Sequence, residues 1–117
     1  MNNGVIIKIE LNEPKILDKV KNDHFGLFLA QEWKRLISPY TPRRDGALED
    51  TAQVRPFQIE YIQPYSARVY YGKDFNFRKD ANPYATYRWD KAAANGGQKD
   101  KLIRAANKYL EIGENND

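Results

Sequence analysis

Alternation of β-branched and polar residues opens the chain. In Gly4-Val5-Ile6-Ile7-Lys8-Ile9-Glu10-Leu11, the apolar Ile7, Ile9 and Leu11 alternate with Lys8 and Glu10, the period of a half-buried strand. Asn12 is a cap residue, and Glu13-Pro14 place an acid and a proline where a first helical turn takes them. No further proline occurs before Pro39, so the pattern predicts a helix of about 23 residues. Its apolar positions Leu17, Val20, Phe25, Phe28, Leu29 and Leu36 recur at helical spacing, while Lys15, Asp18, Lys19, Lys21 and Asn22 are polar. Beyond Phe25 the apolar residues spread over more than one face, the pattern of a helix that is deeply buried or sits at a subunit contact. Phe25, Phe28 and Trp33 are the candidate self-association residues on that surface.

Ser38-Pro39-Tyr40-Thr41-Pro42-Arg43-Arg44-Asp45-Gly46 ends the helix as an irregular segment with two prolines and an Asp-Gly turn. Two short strands are expected over 51–55 and 57–62, with Pro56 as a break or an edge position. Tyr65 to Gly72 reads as a short helix closed by glycine or as a strand, the helix being preferred, and 73–82 reads as a loop. Pro83 is expected to open a last helix reaching about Leu110. Asn95-Gly96-Gly97 interrupts it, because two glycines cost about 2 kcal/mol in a helix interior. The fold expected is α+β: a long helix in the N-terminal half packed on a small antiparallel sheet, plus the interrupted C-terminal helix. All 117 residues are assigned to a single domain, with an acidic tail over about 111–117 expected to fray.

Composition narrows the chemistry. There is no cysteine, which removes thiol catalysis, cysteine-ligated metals and disulfide frameworks. Mean hydropathy is −0.82, and no apolar run approaches the roughly 20 residues that span a bilayer, so no membrane association is expected. Nor does the basic start and apolar stretch of a secretory signal occur, which points to a cytoplasm or something assembled there. The lone His24 has no convergent partners, and Asp45, Glu49 and Asp50 lack the fixed spacing of a divalent-ion loop. Gly96-Gly97 lacks the lysine and hydroxyl residue of a phosphate-cradling loop. No cofactor, no metal and no enzymatic activity are expected.

Charge and aromatics are concentrated. From Arg68 to Arg104 there are nine basic and four acidic residues, a net +5 in a chain of net +3. Nine of the fifteen aromatics lie between Tyr61 and Trp89. Basic residues interleaved with aromatics suit a protein interface or a stacking platform for nucleic acid. The second possibility makes the chain a small nucleic-acid-binding protein or ribonuclease-type toxin, working through Arg68, Tyr70, Tyr71, Lys73, Arg78 and Trp89. An overall charge of only +3 is low for a dedicated nucleic-acid binder.

Three segments, in order, carry a resemblance. They are Ser38-Pro39-Tyr40-Thr41-Pro42 followed by Gly46-Ala47-Leu48; then Tyr61 through Pro64-Tyr65-Ser66-Ala67 to Tyr70-Tyr71-Gly72; and then Phe75-Asn76-Phe77 with Asn82-Pro83, Ala85, Arg88-Trp89 and Lys91-Ala92. Their order and spacing resemble small phage head-tail joining proteins, the minor capsid or tail-completion group of phages and prophages of Gram-positive bacteria. The resemblance implies a structural virion protein at the neck, found in the virion and, during assembly, in the host cytoplasm. It implies other neck, portal or tail proteins as partners, a homo-oligomeric ring, and proximity to the DNA channel. It also implies that a loop comprising Tyr40-Thr41-Pro42-Arg43-Arg44-Asp45-Gly46 and Leu48 orders on docking, supported from the core side by Tyr65 to Gly72.

Overall fold

A computed structural model describes residues 4–9, 23–43, 46–73, 77, 79 and 82–115. Expectations for Glu10 to Asn22, among them the first half of the long helix, lie outside the described residues.

Three strands, β1 (Val5–Lys8), β2 (Gln53–Arg55) and β3 (Gln58–Tyr61), form an antiparallel sheet in the order β1-β3-β2. Val5 pairs with Tyr61 and Ile7 with Ile59, while Val54 faces Ile59 from the other side. Alternation then sorts the faces: Val5, Ile7, Ile59 and Tyr61 point inward and are buried, whereas Ile6, Lys8, Gln53 and Arg55 are exposed. The strands are shorter than their sequence patterns suggested. Phe57 belongs to the turn between β2 and β3, although its carbonyl still accepts the Ile9 N–H at 2.8 Å.

That turn is built on Pro56 and Phe57, and Phe57 has a φ of 62°. Proline followed by a residue of positive φ is the pattern of a type II turn, where glycine is usual in second place. A phenylalanine is held there by its surroundings. Its N–H donates to the Gly26 carbonyl at 3.1 Å, and its ring lies edge-on to Phe25 with centroids 6.2 Å apart. Gly26 supplies the room, since a β-carbon at that position would stand 2.6 Å from two ring carbons of Phe57.

Helix α1 (Asp23–Ile37) covers β2 and β3, burying Phe25, Leu29, Ala30, Trp33, Leu36 and Ile37. A single 3₁₀ turn (Ser38–Tyr40) and a short helix α2 (Ala47–Asp50) follow, then α3 (Ser66–Tyr70), α4 (Trp89–Asn95) and α5 (Gln98–Asn115). Helix α5 runs antiparallel to α1, as Phe28 stacks on Tyr109 at 4.6 Å and the Lys99 ammonium lies over the Trp33 ring at 5.4 Å. The architecture is α+β, with a helix on a small antiparallel sheet and a broken C-terminal helix.

One helix boundary differs from expectation. The last helical region begins at Trp89, not at Pro83, because the N–H groups of Tyr84 and Thr86 are spent on the carbonyls of Pro39 and Tyr40 at 3.0 and 3.1 Å. At the expected break between α4 and α5, Gly97 has a φ of 89°, and a β-carbon on Gly96 would collide with the Tyr40 hydroxyl. The interruption therefore serves two purposes: it turns the chain, and it admits Tyr40.

Candidate docking site at the Ser38–Asp50 segment

The segment after α1 is tied down by side chains from both of its ends and from a distant loop. Thr41 is fully buried, and its hydroxyl donates back to the Ile37 carbonyl at 3.0 Å. Asn82, 41 residues further on, donates its side-chain N–H to the Thr41 carbonyl at 2.7 Å. Glu49 in α2 is the hub: it accepts from the Ser38 hydroxyl, from Arg43 at 3.3 Å and more distantly from Asn82 at 3.4 Å. Arg43 also bridges to Asp50 at 3.3 Å, and this exposed contact holds its guanidinium pKa above the usual arginine value. Leu48 fixes α2 to the core with 4% exposure, and Gly46, at φ 88°, starts α2.

Of the eight residues expected in the docking loop, Thr41, Pro42, Gly46 and Leu48 are buried, while Tyr40 and Arg43 are half-buried. Arg44 and Asp45 lie outside the described residues. The described part of the segment, 38–43 and 46–50, is thus already held by contacts within the chain. Its outward surface among the described residues includes the exposed Asp50, Arg43 paired with it, and Tyr40, whose ring stacks on Tyr84 with centroids 5.2 Å apart. Tyr84 is 60% exposed and was not singled out in the sequence; Pro83-Tyr84 directly after Asn82 was the one available signal. Beside this surface, Gln31, Lys34, Arg35, Ser38, Pro39, Glu49 and Val54 line an open groove.

The candidate self-association residues are mostly consumed by the fold. Phe25 and Trp33 are 0% and 3% exposed, and Phe28 is half-buried against Tyr109. The candidate nucleic-acid residues divide similarly. Trp89 is completely buried and Tyr70 nearly so, which removes both as platforms on which a base can stack, and Arg78 lies outside the described residues. Arg68, Tyr71 and Lys73 are exposed.

An aromatic ladder links the interior to that surface. Tyr61 meets Trp89, Trp89 meets Tyr70 and Tyr70 meets Tyr71, each edge-on with centroids 5.0 Å apart. Edge-to-face pairs contribute about 0.5–1.5 kcal/mol each beyond the area they bury. The two buried phenols are satisfied differently. Tyr70 donates to the Asp90 carboxylate at 2.6 Å, whereas the Tyr61 hydroxyl faces the Trp89 indole nitrogen and the Thr41 hydroxyl without a hydrogen bond of good geometry. Burial raises the pKa of both above the ordinary 10.0, and for Tyr70 the bond to Asp90 adds to the rise. Tyr65 to Gly72 is linked to the docking segment through this ladder, in which the contact with Thr41 is made by Tyr61, and through the Arg88 N–H on the Tyr70 carbonyl, two residues past the Thr86 N–H on the Tyr40 carbonyl.

His24 is exposed at the start of α1, and no group of acidic and histidine side chains among the described residues could hold a metal ion. No described helix is long and apolar enough to cross a membrane.

No curated protein and no solved structure matches this chain. A family model described as minor capsid protein does, over residues 6–109, a span that takes in all of the sheet but Val5, α1 to α4 and most of α5. The sequence resemblance drawn from three ordered segments and this match over nearly the full length agree, and the chain belongs to the minor capsid protein family.

Proposed function

We propose that this minor capsid protein works at the phage head-tail interface, assembling as a ring between portal and tail and docking on a neighbouring protein through the Ser38–Asp50 segment. A structural role in the virion follows from the family; the neck position, the ring and the docking segment are our reading. The observation that supports it most is the bracing of residues 38–43 and 46–50. A chain that only needs a turn between a helix and a hairpin has no use for Asn82 bonding Thr41 across 41 residues or for three donors on Glu49. Pre-organising a contact segment lowers the ordering cost of association. The Tyr40–Tyr84 stack and Arg43, paired with Glu49 and Asp50, then provide a surface of aromatic rings and an arginine, residue types that interfaces favour.

For ring contacts, Phe28 is the member of the expected trio with surface left to offer, because Phe25 and Trp33 are spent on the core. A head-to-tail ring requires two different complementary patches on each subunit. Assembly on a template is compatible with a monomer in solution.

Deleting the gene from the phage tests the reading. The expected result is DNA-filled heads and complete tails that accumulate separately, with joining restored by the wild-type chain supplied in trans. Normal yields of infectious, joined particles from the deletion would overturn it.

A further inference from the structure

Tyr71 is the most exposed large hydrophobic side chain among the described residues, at 63%. It is held rigidly, with its ring edge-on to Tyr70 beneath and the Arg88 guanidinium 5.8 Å from its centroid. Arg88 occupies a left-handed conformation, φ 46° and ψ 54°, a region that glycine and asparagine enter far more readily than arginine. Its N–H donates to the Tyr70 carbonyl at 2.8 Å, and its carbonyl accepts from Lys91 at 3.0 Å, so the backbone on both sides keeps it there. A backbone outlier fixed in this way invites a functional explanation. Here its effect is to set a guanidinium over an exposed ring.

Further positive charge lies close by. Lys73 follows Tyr71, its N–H bonded to the Tyr71 carbonyl at 2.9 Å, and Lys91 stands in the first turn of α4; both are exposed. None of Lys73, Arg88 and Lys91 forms an ion pair with a described residue. Asp90, the carboxylate beside Lys91, accepts from the Tyr70 phenol at 2.6 Å, and Asp74, beside Lys73, lies outside the described residues. A guanidinium over a solvent-facing ring, with exposed lysines two residues after the tyrosine and three after the arginine, differs from a protein hot spot, in which the anchor fills a desolvated pocket. It matches a surface that follows a phosphodiester backbone.

We propose that Tyr71, Lys73, Arg88 and Lys91 form a DNA-backbone contact, with the cations on phosphates and the Tyr71 ring against the sugar. The inference does not depend on the neck position, since a failure to bind DNA leaves the joining defect of the deletion unaffected.

The test is fluorescence anisotropy of a short labelled DNA duplex with the full chain across a salt series. Three phosphate contacts give a slope of about −2.7 in log K against log salt. Arg88→Gly is the informative variant, because glycine suits the backbone at that position and spares the fold. It is expected to weaken binding about eightfold near 0.1 M salt and to flatten the slope by about 1. Lys73→Ala and Lys91→Ala should act alike, and Tyr71→Ala should weaken binding without changing the slope. Lys108→Ala, on the exposed face of α5, should leave both unchanged. No DNA binding, a slope that Arg88→Gly leaves intact, or binding to polyglutamate in place of DNA would each overturn the proposal.

Discussion

Replacing Gly26 by alanine sets two physical rules against each other with opposite signs. Gly26 lies inside α1, where alanine is more favourable than glycine by about 1 kcal/mol, so helix propensity alone predicts a more stable protein. Packing predicts the reverse. The added methyl would sit 2.6 Å from two Phe57 ring carbons and 3.0 Å from the Pro56 β-carbon, where carbon atoms prefer about 3.5–4.0 Å. Relief requires moving the ring by about 1 Å. Yet Phe57 is pinned by its N–H to Gly26, by its carbonyl to Ile9 and by a backbone already at positive φ. Overpacking of this kind costs about 1–3 kcal/mol, so after the helix gain of about 1 kcal/mol Gly26→Ala should lose up to about 2 kcal/mol net. Urea unfolding is the assay, with a lower midpoint at unchanged slope as the expected outcome. In a Phe57→Ala background the ring is gone and only the looser Pro56 contact remains, so the same substitution should cost less or turn neutral. A Gly26→Ala protein about 1 kcal/mol more stable than wild type would refute the lock between α1 and the hairpin turn.

The buried phenols give a contrast of the same kind. Tyr61→Phe removes a hydroxyl that lacks a good partner and should leave stability unchanged or slightly raised, whereas Tyr70→Phe abandons Asp90 and should cost about 1 kcal/mol in the same unfolding assay. Both phenols hold their protons more tightly when folded than in the unfolded chain, so their contribution is present below pH 10.0 and is lost as pH rises above it. Unfolding midpoints measured near neutrality and above that pH should show the fall, with a smaller fall for Tyr70→Phe. Asn82→Ala leaves the Thr41 carbonyl buried and unpaired, for an expected loss of about 1–3 kcal/mol and faster amide exchange across 38–43. Arg43→Ala removes an exposed ion pair with Asp50 and a part-buried one with Glu49 and should lower the unfolding midpoint only slightly, while particle joining in a complementation assay should fall.

What was legible in the sequence was what local chemistry controls. The alternation in Val5–Lys8 and in Gln58–Tyr61, the break at Pro56 and the interruption at Gly96-Gly97 each follow from residues within a few positions, and each is present. What escaped was set by distant partners. Pro83 is a sound helix opener by local rules, yet helix formation waits until Trp89 because 84–86 bonds the backbone of 39–40. Glu49 and Asp50 read as turn acids, but Glu49 collects Ser38, Arg43 and Asn82, residues that become neighbours only after folding. The aromatic-rich stretch could not be sorted from sequence, since Tyr70 and Tyr71 are identical in type and adjacent. One is 7% exposed and the other 63%, a division made by the turn of α3 against Trp89.

The measurement that bears most directly on the head-tail reading is quantitative mass spectrometry of purified virions, giving copies of this chain per particle relative to the major capsid protein. A small fixed number, of the size of a single ring, is the predicted result. Absence from the particle, or a copy number comparable to that of the major capsid protein, would contradict it.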